Sequence, residues 1–265
     1  MTRHDVQAVV AFIRLGWRQA LAQKATLAAR GAMHMVVVMI FWHIWQATPL
    51  SEILALDLEP AALTWYLAFT EWIVFAAGVP YREIERDVAS GMIEVGMCRP
   101  QPYALITLAT WIGAASLRLI VLGLFVLVAI WLLTGAPPRF DVTTLALPLV
   151  AMLSVLLLLI CQLQIGYAAI WMGTAAPFFW LFQKFLFVVG GLILPLTLFP
   201  SPFAEIASAS PFGAMLAAPG SFALGVTINE VIVILAWQLF WLAALTIAAL
   251  LIDRRASSRL QRQGI

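Results

Sequence analysis

YREIERDVASGMIEVGMCRPQP, residues 81–102, holds the densest charge in this chain of 265 residues. It stands between two runs, 61–79 and 104–134, that are almost wholly apolar. A helix needs ~20 such residues to cross the hydrocarbon core of a bilayer. Comparable runs occupy 29–48, 144–170, 177–198 and 227–252. The run at 29–48 begins too late for a secretory signal, has no small-residue cleavage site and is followed by other spans. The expected fold class is therefore an all-α integral membrane protein, one domain over 1–265 with six transmembrane helices.

Composition excludes the other classes. The chain is 63% hydrophobic and 11% charged, where a soluble domain carries about 25% charged residues. A soluble fold of this make-up would expose apolar surface everywhere. Disorder requires the opposite composition. The net charge of +2 gives no basic patch, so no nucleic-acid partner is expected. Two cysteines, Cys98 and Cys161, build no disulfide framework.

Charge placement sets an orientation. Arg3, Arg14, Arg18, Lys24 and Arg30 precede the first span. Arg82, Arg86 and Arg99 lie between the second and third, and Arg254, Arg255, Arg259 and Arg262 follow the last. The intervening segments hold Arg139 with Glu52, Asp57, Glu59, Asp141, Glu205 and Glu230. Basic residues stay on the cytoplasmic side, so both termini are expected there. Trp42, Trp45, Trp65 and Trp131 fall near outer ends of spans, and Trp111 and Trp171 near inner ends.

Three segments do not read as spans. Residues 3–24 place Val6, Val9, Val10, Ile13, Trp17, Ala20 and Leu21 at helical spacing, with Arg14 and Arg18 on another face. Such a helix lies in the membrane interface, as an elbow into the first span or as a plain surface anchor. Within 81–102, Ile84, Val88, Met92 and Val95 form one apolar stripe. Arg82 with Glu85, and Glu83 with Arg86, are spaced to pair across a turn. Gly91 divides the stretch, and Gly96 with Pro100 marks its exit. One apolar and one charged face suit docking to a partner protein, although a solvated connecting loop would share the composition. Residues 199–225 are apolar but broken by Pro200, Pro202, Pro211 and Pro219. They are expected to form short re-entrant or interfacial helices, since irregular backbone at membrane depth must be enclosed by protein.

Catalytic motifs are missing. Lys24 and Lys184 lack the glycines of a phosphate loop. His4, His34 and His43 form no metal-binding spacing, and no nucleophile turn occurs. No catalytic or metal-binding residue is expected. Glu71 and Arg118 fall deep in spans two and three, at depths that allow an ion pair. Alternatively, one of them lines a polar path. Lys184 can reach the cytoplasmic interface. What remains is a six-span subunit with no energy source of its own.

The stretch EIERDVASGMIEVGMCRPQPY, residues 83–103, and FPSPFAEIASASPFGAMLAAPGSFALG, residues 199–225, resemble the membrane subunits of bacterial type-2 ABC exporters. The likeness runs over essentially the whole chain. It implies that 3–24 is an interfacial connecting helix and that 82–97 holds the coupling helix. There Arg82, Glu83, Ile84, Glu85, Arg86, Asp87, Val88, Gly91 and Met92 would meet a nucleotide-binding ATPase subunit. It implies a second six-span permease, the same chain or a different one, packed mainly through span five. Phe178, Phe182 and Phe185 are the candidate contacts. ATP and magnesium would sit in the ATPase, with no cofactor on this chain. The implied location is a bacterial inner membrane, with 253–265 a cytoplasmic tail. No aromatic stripe of a sugar exporter is present, and an apolar path suits a hydrophobic or amphipathic cargo. Two other readings stand beside this one: a membrane scaffold using 82–97 as an adaptor, and an ion-coupled secondary transporter.

Overall fold

The computed structural model describes residues 3–48, 59–99 and 101–262. Glu52, Asp57 and Pro100, each given a place above, lie outside the described residues, as do positions 263–265 of the expected tail. Every regular element among the described residues is helical: α1 (Arg3–Ala22), α2 (Lys24–Ala47), α3 (Pro60–Ala77), α4 (Tyr81–Ala89), α5 (Met92–Met97) and α6 (Tyr103–Thr134). After a 3-10 turn at Val142–Ala146 follow α7 (Leu147–Tyr167), α8 (Ala169–Met172) and α9 (Ala176–Val188). A second 3-10 turn, Leu196–Leu198, leads to α10 (Phe203–Ala209), α11 (Pro211–Met215), α12 (Ala217–Ser221) and α13 (Ile228–Arg262).

Five helical stretches are long and apolar enough to cross a membrane: Lys24–Ala47, Pro60–Ala89, Tyr103–Thr134, Val142–Met172 and Ile228–Leu260. The chain is all-helical and fits a multi-pass membrane protein. The second stretch is divided at Gly78, whose φ of 72° is left-handed. Its apolar part is α3, which is the central helix. Leu63, Leu67, Ile73 and Ala76 are fully buried on it, as expected of a helix hydrophobic all round.

The first helix packs on α6 by small residues. A Cβ on Gly16 would strike Thr110 O, and one on Gly113 would strike Ile13 O. The two backbones therefore touch, as small residues permit between helices in a bilayer. Trp17 Nε1 donates to Ser116 Oγ at 2.9 Å across the same joint. Val6, Val10 and Leu21, from the expected apolar stripe, stay exposed.

The expected span at 177–198 requires correction. Its helix stops at Val188, and 13 residues of helix reach only about 20 Å. Gly190, Gly191 and Pro195 account for the break: Gly191 takes φ 64°, and proline has no N–H to continue a helix. The chain nevertheless runs on past the middle of α3. Tyr66 Oη donates to Gly191 O at 2.6 Å and Thr70 Oγ1 donates to Leu192 O at 2.6 Å. Irregular backbone in an apolar setting is tolerated where such donors satisfy it. Tyr66→Phe removes one of them with the ring retained. An orphaned buried carbonyl costs about 1–3 kcal/mol. Thermal melting of the detergent-solubilised variant should fall by roughly 5 °C, and an unchanged melt would refute the role assigned to this bond.

The proline-rich stretch folds into α10, α11 and α12. Met215 and Leu216 are fully buried. Gln238 Nε2, well inside α13, donates to Ala214 O at 3.0 Å and to Ser154 Oγ at 3.0 Å. Trp241 Nε1 donates to Ala209 O at 2.9 Å. The short helices are thus held by side-chain donors from α13.

Candidate functional site

The charged stretch that starts at Tyr81 forms two helices set at one end of the bundle. Pro80 precedes α4, and Gly91, at φ 73°, separates it from α5. The end of α13 lies beside this pair, with Ser257 Oγ 3.8 Å from Met97 Sδ. Tyr167 Oη donates to Asp253 Oδ1 at 2.6 Å there.

All three acids of α4 turn toward the bundle. Trp111 Nε1 of α6 donates to Glu83 Oε2 at 2.7 Å. Thr174 Oγ1 and Ala175 N, just before α9, donate to Glu85 Oε1 at 2.6 and 2.8 Å. Tyr103 Oη donates to Asp87 Oδ2 at 2.7 Å. Ile84 is fully buried above Gly166 of α7, where a Cβ would come within 2.8 Å of its side chain. Tyr81 stacks on Phe179 at 4.3 Å. The expected pairs Arg82–Glu85 and Glu83–Arg86 do not form salt bridges among the described residues. Hydrogen-bond donors on α6 and on the connection before α9 hold the acids instead, and exposed pairs within one helix gain little.

The single apolar stripe also needs correction. Ile84 is buried and Val88 half-buried, but Met92 is 51% and Val95 54% exposed. The left-handed Gly91 rotates the second helix out of phase, so Ile93 and Gly96 turn inward. Gly96 abuts Tyr103, whose Cδ2 would lie 2.6 Å from a Cβ there. Ser90 and Ala89, with Met92 and Val95, make the exposed tip of the pair.

Beneath α4 a cavity of about 620 Å³ opens between α2, α3, α7 and α9. Its polar groups are Thr26, Arg30, Glu71, Gln162 and Gln183, set among Phe179, Phe187 and other apolar side chains. Glu71 is 8% exposed and accepts no hydrogen bond from a described residue. Gln162 Nε2 donates to Gly78 O at 2.9 Å, and its Oε1 has no partner among the described residues. Met33 and Phe187, on the α2 and α9 rim, remain exposed.

Glu71 and Arg118 form no ion pair among the described residues. Arg118 Nε donates to Ala114 O at 3.0 Å, and its guanidinium lies beside Arg30 rather than Glu71. The guanidinium of Arg118 lies at Gly78, just past the end of α3 and about two turns from Glu71, and the two residues line different cavities. Of the aromatic candidates, Phe178 and Phe185 are 41% and 42% exposed, whereas Phe182 is buried against Phe179 and Phe212. Phe182 is therefore a core residue and offers no surface to a second subunit. Cys98 and Cys161 are both free.

No protein-family model matches this chain, and no curated protein matches it significantly. Its function rests on its own residues.

Sequence reasoning missed Arg30, Gln162 and Tyr66. From sequence, Arg30 reads as one of the charges before the first span. It lies within α2 and donates Nη1 to Phe75 O at 2.7 Å. Gln162 and Tyr66 stand in uniformly apolar surroundings, and a lone polar group there is a signal available from sequence.

Proposed function

We propose that the chain is the membrane-spanning permease subunit of an ATP-driven ABC exporter, with the α4–α5 pair coupling it to a separate nucleotide-binding ATPase. One observation carries this reading. Three carboxylates and a buried isoleucine fix α4 to the α6, α7 and α9 regions, while the tip at residues 89–92 and 95 stays free. A push on that tip passes directly to the helices that line the Glu71 cavity. A linker without mechanical work would need neither the inward acids nor the seat over Gly166.

In this reading the basic end faces the cytoplasm of a bacterial inner membrane, with both termini there. The sixth crossing is α9 with the irregular chain that follows it. A second permease covers the exposed α2 and α9 rim, Phe178 and Phe185 included, and closes a path for a hydrophobic or amphipathic cargo. ATP and magnesium bind in the partner ATPase.

The test is mild-detergent purification of the tagged chain from its native membrane, with mass spectrometry of what accompanies it. A phosphate-loop ATPase at one copy per permease is the expected result. A second six-span chain in the same complex would settle a heterodimer. Recovery without any ATPase, even after cross-linking, would overturn the exporter reading.

A further inference from the structure

A second cavity, of about 520 Å³, lies on the other side of Arg30, between α1, α2, α4 and α6. Four arginines line it: Arg30 and Arg118 from the spans, and Arg82 and Arg86 from α4. Glu83 and Glu85 share the wall. Glu83 accepts from Trp111, and Glu85 accepts from Thr174 and Ala175 while lying within electrostatic reach of Arg82. None of the four guanidinium groups makes a salt bridge among the described residues.

Arg30 and Arg118 converge on Gly78. A Cβ at that glycine would lie 2.9 Å from both terminal nitrogens of Arg30 and 3.1 Å from Nη1 of Arg118. The missing side chain is what admits both groups. Two like charges brought together at the end of apolar helices repel each other, and removing each from water is costly. Arg30 commits Nη1 to Phe75 O and Arg118 commits Nε to Ala114 O. Arg82 and Arg86 commit only their Nε atoms, to Tyr81 Oη and Arg82 O. Most of the guanidinium donors therefore remain available. Gln19, Gln23 and Thr26 add neutral polar groups to the lining.

We infer that this cavity binds a phosphate group. Planar guanidinium groups recognise phosphate oxygens through paired, charge-assisted hydrogen bonds, and several arginines around one anion suit that chemistry. The group can arrive as the head of an anionic lipid or as free phosphate. The site does not depend on ATP coupling, and its test is independent of the ATPase partner.

The full-length chain, purified in a neutral detergent, is incubated with dioctanoyl phosphatidic acid, with dioctanoyl phosphatidylcholine, or with inorganic phosphate. Native mass spectrometry reads occupancy. Phosphatidic acid should be retained at least about tenfold more than phosphatidylcholine, a difference worth about 1.4 kcal/mol. Arg30→Gln with Arg118→Gln should abolish that preference. Arg82→Gln with Arg86→Gln, on exposed side chains, should weaken it without threatening the fold. Retention of phosphatidic acid undisturbed by excess inorganic phosphate identifies a lipid site. Saturable binding of inorganic phosphate that competes with the lipid, with the same arginine dependence, identifies a site for the free anion. Equal retention of both lipids, or wild-type retention by the Arg82/Arg86 variant, would overturn the inference.

Discussion

Gly113→Leu is expected to lift α1 off α6 and to lower the melting temperature of the solubilised chain by roughly 10 °C, at 2–4 °C for each kcal/mol in a chain of this size. Overpacking a close-packed site costs about 1–3 kcal/mol, and occasionally more. Here the obstruction is Ile13 O, a backbone atom that no rotamer change can move aside. Separation of the helices also strains the Trp17–Ser116 hydrogen bond, worth about 1 kcal/mol. Limited trypsin digestion gives a second readout, since Arg14 and Arg18 are exposed on α1 and become better substrates once the helix is released. Gly113→Ala should show a smaller effect of the same sign. A wild-type melt together with unchanged digestion would mean that α1 does not rest on Gly113.

The second large effect concerns the tip of the helix pair. On the proposed coupling to an ATPase, Met92→Glu combined with Val95→Glu should reduce the ATPase recovered with the chain by at least tenfold, equivalent to about 1.4 kcal/mol or more of binding energy. Both side chains are half exposed, so the melting temperature should not move. Ile84→Ala is the complementary variant. It empties a fully buried position above Gly166 and should cost about 2–5 kcal/mol. On the same proposal the ATPase should still be recovered, but its hydrolysis should no longer respond to this chain. Charge reversal at Glu83, Glu85 and Asp87 would break the bonds to Trp111, Thr174 and Tyr103, so it tests the anchoring of α4 and not its docking surface. Full ATPase recovery with the glutamate pair would remove the tip from the interface.

The helical class and most of the long apolar helices were readable from the sequence, because twenty-residue hydrophobic runs leave little else to a chain. The helix pair at 81–97 was readable for the same reason, as charge between two such runs. Its internal bonds were not. Glu83 sits three residues from Arg86, and that spacing suggests a local pair. Its actual donor, Trp111, is 28 residues away on another helix. Depth along a span likewise suggested Glu71 with Arg118. Depth carries no information about which way a helix face points, and Arg118 faces Arg30. The break after Val188 was available in principle. Pro195 is the same kind of residue as the prolines that marked 199–225 as irregular, and Gly190 and Gly191 stand beside it, but all three lie inside an apolar run and hydropathy masks them.

That break has a mechanical consequence for the bilayer itself. A continuous helix rises a fixed 1.5 Å per residue, so it meets a thicker or thinner membrane by tilting. Non-helical backbone can extend toward about 3.3 Å per residue. The residues after Val188 are held to α3 by the hydroxyls of Tyr66 and Thr70, not by a helical ladder. If α9 and the chain after it form the sixth crossing, as proposed, that segment can take up a change in bilayer thickness along its own length, while a continuous helix must lean.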